Sequence, residues 1–308
     1  MSAEHFAYQA FLVGFVLSGL ASLCYVALPL WPRVAYRAAA TDAGATMTVA
    51  ARSQPPSWLA PAASAGAWLA LAVLTASLAG RWVAAGRPPY ANMWEFTVGF
   101  GWAILLFYVL FEGRSLLVQD EGMAGASARM VGALMLPVVF VLFAASLAFF
   151  PSQIRPLVPA LQANRILGAH VATMMLSYAA LSVSFGAAAL YLVQGGDGRR
   201  FARLPSGEAL EEFANRCVLV GFPMLTLGIA LGAYWAHSAW SRYWGWDAKE
   251  TSALMTWLIY AVYLHARNLR GWRGKGAAGV LVVGFAAVLF TYFAVNLWVS
   301  GLHSYAGV

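Results

Sequence analysis

The sequence predicts an all-α integral membrane protein with about eight transmembrane helices. Of its 308 residues, 61% are hydrophobic and only 10% are charged, whereas an average soluble domain is about 25% charged. A soluble fold of this size has no means of hiding so much apolar surface, because its outside must be wetted. Two cysteines, Cys24 and Cys217, are too few for a disulfide scaffold, and the high hydrophobicity excludes intrinsic disorder.

Eight apolar stretches have the length of about 20 residues that a spanning helix needs. They lie at 6–30, 58–83, 93–111, 131–150, 167–194, 217–236, 249–267 and 277–300. The first has no basic segment before it, which indicates a retained helix rather than a cleaved signal peptide. The seventh is the weakest, because its uninterrupted apolar run covers only Ser252 to Leu264.

The basic residues predict the orientation. With the N-terminus outside, the inside loops hold 13 Lys and Arg residues and the outside loops hold 6. Cytoplasmic loops carry the excess of Lys and Arg, so both termini are expected on the outer face, provided that the seventh helix spans. The net charge of +7 follows from this distribution and does not indicate nucleic-acid binding. The inside loops 31–57 and 195–216 read as connectors, the second with an interfacial helix around 206–216, within a single polytopic domain, 1–308.

One outside loop, at about 234–251, has an unusual composition. It reads YWAHSAWSRYWGWDAKET and contains Trp235, Trp240, Trp244, Trp246 and Asp247. A tryptophan at a membrane interface is ordinary, but four within twelve residues exceed what anchoring needs. Tryptophan combines a broad apolar face with one N–H donor, so the cluster predicts a platform for a flat aromatic ligand. A plain aromatic belt at a helical hairpin is the alternative.

Three of the five histidines suggest where such a ligand binds. His170 opens the fifth helix and His303 follows the eighth, on the same side of the membrane as the tryptophan segment. Two neutral imidazoles on opposite sides of a ring plane are an axial pair for haem iron, although each alone is also typical of an interface. His265 lies 18 residues beyond Asp247, roughly 27 Å along a helix. An ionisable residue at that depth is a functional candidate; a snorkelling histidine beside Arg267 is the alternative.

These residues resemble the signature of the CcsA/ResC-type cytochrome c biogenesis proteins, the haem-handling subunits of System II within the tryptophan-rich WWD family. The matching segments are GAYWAHSAWSRYWGWDAKETSALMTWLIYAVYLHARN, HVATMMLSYAAL from His170, GLHSYA around His303 and, more weakly, PPYANMWEF at 88–96. The resemblance covers the chain from about residue 88; residues 1–87 match only as hydrophobic segments. Departures from the family pattern stand at His237, Ser238, Arg242, Ala248 and Ser252. His237 is a new potential ligand that its position predicts to face solvent.

The resemblance implies that haem b enters from the cytoplasmic side and is held at the outer face by His170 and His303. His265 corresponds to the family's inner histidine, whose second iron ligand comes from a CcsB/ResB-type partner. Haem would then be attached to the CxxCH motif of apocytochrome c, kept reduced by thiol reductants, which makes the chain part of a cytochrome c synthetase in the bacterial cytoplasmic membrane. The residues expected to contact haem are His170, His303, His265, Trp235, Trp240, Trp244, Trp246 and Asp247.

Other functions fit part of the pattern. A WWD-type carrier would deliver haem to a chaperone without forming the covalent bond. A secondary transporter would use His265 as a proton relay, but the sequence lacks paired mid-membrane carboxylates and matched Gly/Pro-broken helices. A structural assembly subunit would have the aromatic belt and no cofactor. If haem binds, its propionates need cations, and the outer candidates are Arg81, Arg87, Arg155, Arg165 and Arg242.

Overall fold

A computed structural model describes residues 2–31, 34–40, 46–52, 55–117, 123–157, 161–162, 165–195 and 204–294, together with positions 299, 301 and 303. The described residues form eight α-helices and one β-hairpin. These are α1 Ala3–Leu30, β1 Val34–Ala40, β2 Thr46–Arg52, α2 Leu59–Ala85, α3 Met93–Leu117, α4 Met123–Phe149, α5 Arg165–Gln194, α6 Gly207–Trp240, α7 Ala248–Arg270 and α8 Lys275–Leu289, followed by a π-helical turn at Phe290–Ala294. Each predicted apolar stretch forms a helix within its described residues, which confirms an all-α integral membrane protein.

Seven of the described helices are long and apolar enough to cross a membrane, and α7 is the one that does not qualify. Its 23 residues would extend about 34 Å, so length is not the reason. Both ends of α7 are polar, with Lys249 and Glu250 in the first turn and Arg267 and Arg270 in the last. Helix α7, which the sequence predicted as the weakest span, is therefore also the helix whose polar ends make it marginal as a membrane span.

Two connectors differ from the prediction. The expected interfacial helix at 206–216 and the span at 217–236 are one continuous helix, α6, of 34 residues. At 1.5 Å per residue it is about 51 Å long, well beyond a hydrocarbon core of about 30 Å. In loop 31–57, β1 and β2 pair antiparallel with Val34 opposite Arg52; Val, Tyr and Thr residues favour strands there. The predicted eighth helix is described only to residue 294, and 295–298 and 300 lie outside the described residues.

Helix α5 packs mainly along α6, and α1 packs along α2. On α6, Gly228 and Gly232 lie one turn apart and face α5. A Cβ added at Gly228 would stand 2.6 Å from Met174 Sδ, and one added at Gly232 would stand 2.6 Å from His170 Cε1. Small residues at this spacing let two membrane helices approach closely. The glycines therefore create the space in which the His170 imidazole lies.

At the opposite end of α6 and α7, an ion pair joins the helices. Arg267 Nη1 lies 2.6 Å from Glu211 Oε1, and Glu211 Oε2 accepts a hydrogen bond of 3.3 Å from the backbone N–H of Gly274, just before α8. We call this the arginine end of the bundle, and the end that holds the C-terminus of α6 the tryptophan end. Three helices are thus tied together at the arginine end.

Candidate functional site

His170 and His303 line one cavity at the tryptophan end. It encloses about 1050 Å³ of space between atoms, its opening included. Most of its wall is apolar, and its lining also includes Tyr90, Val171, Met174, Ile229, Trp244 and Lys249. Ligand sites in proteins are mostly apolar concavities with a few polar groups that orient the ligand. The structure therefore brings together the two histidines that the sequence placed on one face of the membrane.

The His170 imidazole is fixed by the backbone of α6. Its Nδ1 lies 2.7 Å from the carbonyl oxygen of Gly228. Because a carbonyl only accepts, Nδ1 donates this bond, and in the neutral ring the lone pair then resides on Nε2. That tautomer presents Nε2 as the atom able to bind a metal, and the carbonyl partner fixes the direction in which the ring points.

The His303 imidazole is fixed by a carboxylate. Its Nδ1 lies 2.5 Å from Asp247 Oδ2, so Nδ1 again donates, and in the neutral ring Nε2 carries the lone pair. Histidines that bind metals commonly donate their other ring N–H to a carboxylate, which fixes the orientation of the ring. Asp247 was predicted to contact the ligand directly; the structure places its carboxylate behind His303 instead.

Asp247 also begins α7. Its Oδ1 accepts from the backbone N–H of Glu250 at 2.8 Å, and Glu250 Oε2 accepts from the backbone N–H of Asp247 at 3.2 Å, which together form a capping box. Burial raises the pKa of Asp247, but the hydrogen bonds from His303 and from the Glu250 backbone outweigh it, so its pKa lies below the ordinary value. The aspartate is therefore a carboxylate at neutral pH.

Two of the four tryptophans belong to α6 rather than to a loop. Trp235 is 1% exposed, and its ring centroid lies 6.4 Å from that of His170 and 6.0 Å from that of His303. Trp240 packs edge-on against both Trp235 at 4.8 Å and His303 at 5.0 Å. The helix ends only at Ser241, whose φ is 58°. The tryptophan loop is thus residues 241–247, and Trp235 is a buried side chain that lies near both histidines.

The other two tryptophans lie in the loop itself. Trp244 lines the cavity. Trp246 is 70% exposed and meets Trp244 edge-on, with centroids 5.7 Å apart. Trp246 also has a φ of 56°, which is uncommon for a residue other than glycine. The four tryptophans therefore do not form the expected flat platform: Trp235 is buried and Trp240 half-buried on α6, Trp244 lines the cavity and Trp246 is exposed.

Two further histidines lie outside the cavity. His265 is exposed on α7, where Leu258 and Val262 are exposed beside it. It forms part of the lateral surface of the bundle, so the structure does not bring it to the tryptophan end. His237 is exposed and stacks on Tyr243 with centroids 4.4 Å apart, which confirms the prediction that it faces solvent.

The arginines predicted to meet propionates are mostly engaged elsewhere. Arg81 and Arg87 lie 2.9 Å and 3.0 Å from the two carboxylate oxygens of buried Glu95. Arg242 is exposed on the loop, and Arg155 lines a neighbouring groove. The side chain of Arg165 lies outside the described residues. Lys249 lines the cavity although sequence reasoning did not select it; its position two residues after Asp247 was the available signal.

A family comparison covers most of this architecture. The model of the cytochrome C assembly protein family matches residues 90–303. The matched segment begins before α3 and ends at His303, so it contains the whole cavity wall contributed by α5, α6 and the loop. The chain belongs to the cytochrome c assembly protein family.

Relatives of this assembly protein are cytochrome c biogenesis proteins named CcsA. The protein from Synechococcus elongatus is 34% identical over 292 residues, covering 79% of this chain and 86% of its own. That from Parasynechococcus marenigrum is 38% identical over 267 residues, covering 77% and 84%. The Chlamydomonas reinhardtii protein is 37% identical over 233 residues, 73% of this chain but only 63% of its own length. This assembly protein is therefore of the CcsA type, with a role in cytochrome c biogenesis.

The fold of the assembly protein also has a solved counterpart. The cytochrome c haem lyase CcmF superimposes with a TM-score of 0.65 over 95% of this chain and 47% of that chain. The sequence identity is 17%, so the likeness concerns the helical architecture.

Proposed function

We propose that the protein binds haem b at the tryptophan end, with its iron between His170 and His303, and presents it for covalent attachment to apocytochrome c. The observation that carries this proposal is the shared cavity: two imidazoles from distant parts of the chain line it, and each is held in the tautomer that exposes Nε2. Haem iron readily takes two imidazole nitrogens as axial ligands.

The cavity fits a porphyrin in its chemistry as well as in its ligands. A porphyrin is flat and apolar except at its propionates, and the wall supplies apolar side chains such as Val171, Met174 and Ile229. Trp244 offers an aromatic face at one side. Met174 and Ile229 lie on the facing surfaces of α5 and α6, so the helix pair that positions His170 also forms the apolar wall.

Attachment requires the cysteine thiols to add across the vinyl groups of haem while its iron is reduced. Each addition forms a carbon–sulfur bond and transfers the thiol hydrogen to the neighbouring vinyl carbon. Holding the reactants adjacent contributes up to about 7–11 kcal/mol in favourable cases. The protein's part is to orient haem with the vinyl edge open and to protect the iron with two imidazoles. The histidine of CxxCH then replaces one of them, and thiol reductants keep the cysteines free.

The supply of haem involves the arginine end. We propose that haem arrives from the cytoplasmic side, meets His265 first and then moves to the cavity. Because His265 is exposed on α7, a second membrane protein of the CcsB/ResB type can supply the other axial ligand there. This places the tryptophan end and both termini outside the bacterial cytoplasmic membrane, as the Lys and Arg distribution indicates, within one polytopic domain. Reporter fusions at Lys275 and Val308 should lie inside and outside, respectively.

Spectroscopy of the purified protein tests the haem site. Wild-type protein prepared from haem-replete cells should show a Soret band with the split visible peaks of low-spin iron. Double replacement His170→Ala with His303→Ala should remove this spectrum, whereas His237→Ala, on an exposed histidine outside the cavity, should retain it. A colourless wild-type preparation contradicts haem binding at this site and favours a structural assembly subunit.

Attachment is tested separately from binding. Co-expression with a CcsB/ResB-type partner and an apocytochrome should yield covalent cytochrome c, visible as haem that remains with the polypeptide under denaturing conditions. A protein that keeps its haem spectrum but yields no cytochrome c with any partner is instead a carrier that hands haem to a chaperone.

A further inference from the structure

We propose that the ammonium group of Lys249 binds a haem propionate inside the cavity, an inference that rests on the proposed function. Lys249 lines the same cavity as His170 and His303. It stands in the first turn of α7, two residues after Asp247. One short segment therefore supplies both the carboxylate that orients a proposed iron ligand and a positively charged residue of the cavity lining.

Lys249 is the one lysine or arginine among the described residues that line the cavity. Glu250 also lines the cavity, but its Oε2 already accepts backbone N–H groups from Gly245 at 2.7 Å and Asp247 at 3.2 Å. Asp247 accepts from His303 and from the Glu250 backbone. Both carboxylates are thus used to build the loop and orient the histidine.

The ammonium of Lys249 lies close enough to Asp247 and His170 to interact electrostatically with both. Lys249 is half-buried, and a positive charge partly withdrawn from water is stabilised by anions and hydrogen bonds. A carboxylate of the ligand would add to the attraction from Asp247. A propionate brings that carboxylate, and lysine is an established partner for such anions through charge-assisted hydrogen bonds.

The alternative cations are less suited. Arg81 and Arg87 share Glu95, so recruiting either would break a buried ion pair. Arg155 lines the neighbouring groove rather than the cavity. Arg242 is exposed, and its guanidinium packs against Gly245, where an added Cβ would stand 2.9 Å from Nε.

The test compares haem with haem dimethyl ester, in which both propionates are uncharged. The full-length protein in detergent is titrated with each, and binding is followed by the low-spin bis-histidine spectrum. The wild type should bind haem more tightly than the ester. Lys249→Met should weaken haem binding about tenfold, or about 1.4 kcal/mol, while ester binding is unchanged. Lys249→Arg should restore the preference, and Arg242→Met, the matched control on the exposed loop, should keep it.

The outcomes distinguish a failure of the lysine assignment from a failure of the proposed haem site. A preference for haem over the ester that survives in Lys249→Met overturns the lysine assignment and leaves the haem site standing. Equal weakening of both ligands in Lys249→Met also overturns it, because that result shows a structural role. A wild type that gives no bis-histidine spectrum with either ligand overturns the proposed function and the lysine assignment together.

Discussion

The two ends of the bundle present their histidines in opposite ways. At the tryptophan end, His170 and His303 share a cavity, and the chain itself supplies an acceptor for each Nδ1. At the arginine end, His265 is exposed on the side of α7, while the nearby Arg267–Glu211 pair holds the helices together. Under the proposed function, one end would be a haem site complete within this chain, whereas the other would offer a single ligand for a second protein to complement.

Loss of either cavity histidine should have the largest effect. His170→Ala and His303→Ala are each expected to abolish cytochrome c maturation at unchanged protein level, because each removes one of the two proposed axial ligands. Added imidazole should restore part of the activity, since it can fill the vacated position. The measurement is covalent cytochrome c per unit of membrane protein. Normal maturation in either variant would show that this histidine is not needed as an iron ligand. The tryptophan end would then no longer hold a complete pair of ligands.

Loss of His265 should reveal the order in which the two ends fill. If haem reaches the cavity by way of the arginine end, His265→Ala should deplete haem at both ends, while His170→Ala should leave haem at the arginine end. Haem content and ligation of the complex with its partner would be measured by visible spectroscopy. A fully loaded cavity in His265→Ala would contradict transfer between the ends and leave the chemistry at the cavity intact.

Replacing Gly232 of α6 with alanine should have the next largest effect. Gly232→Ala places a Cβ 2.6 Å from the His170 ring, so the imidazole must shift; overpacking of this kind costs about 1–3 kcal/mol. Haem affinity should fall about tenfold or more, while helix propensity itself gains about 1 kcal/mol. Gly279→Ala on α8 is the matched control, because an added Cβ there meets nothing within 4 Å. Equal haem titrations for the two variants would show that the close approach does not position His170.

The smallest effect is expected behind His303. Asp247→Asn keeps a good N-cap for α7 but removes the negative charge that supports the imidazole, and loss of such partners typically lowers metal affinity about 10- to 100-fold. Haem titration should show a weakening toward the lower end of that range with unchanged helix content. Ser206→Ala, which removes the N-cap of α6 at the other end, costs about 1 kcal/mol of stability and should leave haem affinity alone. Wild-type affinity in Asp247→Asn would make Asp247 a cap only.

Much of the architecture was predictable from the sequence because long apolar stretches leave a chain few choices in a membrane. All eight predicted segments form helices within the described residues, and the two histidines line one cavity beside the tryptophan segment. Helix ends were harder, because alanine and tryptophan continue α6 through the polar-looking residues to Trp240. Composition alone could not show where helix gives way to loop.

Roles within the site were less predictable, because they depend on the direction of each side chain. Trp235 and Trp246 look alike in sequence, yet one is 1% and the other 70% exposed. Arg81 and Arg87 read as available cations until Glu95 is seen between them. Lys249 was overlooked since a lysine at the start of a helix has no periodic signature. For each of these residues, the contacts of the side chain in the folded protein, rather than the residue type, determine its role.

Helix α7 carries His265 near one end and begins at Asp247, whose carboxylate holds His303. An α-helix is stiff along its axis, so α7, which is about 34 Å long, transmits a displacement from one of its ends to the other. A neighbouring subunit that contacts α7 near His265 could shift or rotate this helix. The movement would displace Asp247 and thereby reorient the His303 ring. The orientation of the His303 ring is therefore coupled through one helix to displacements at the opposite end of the bundle.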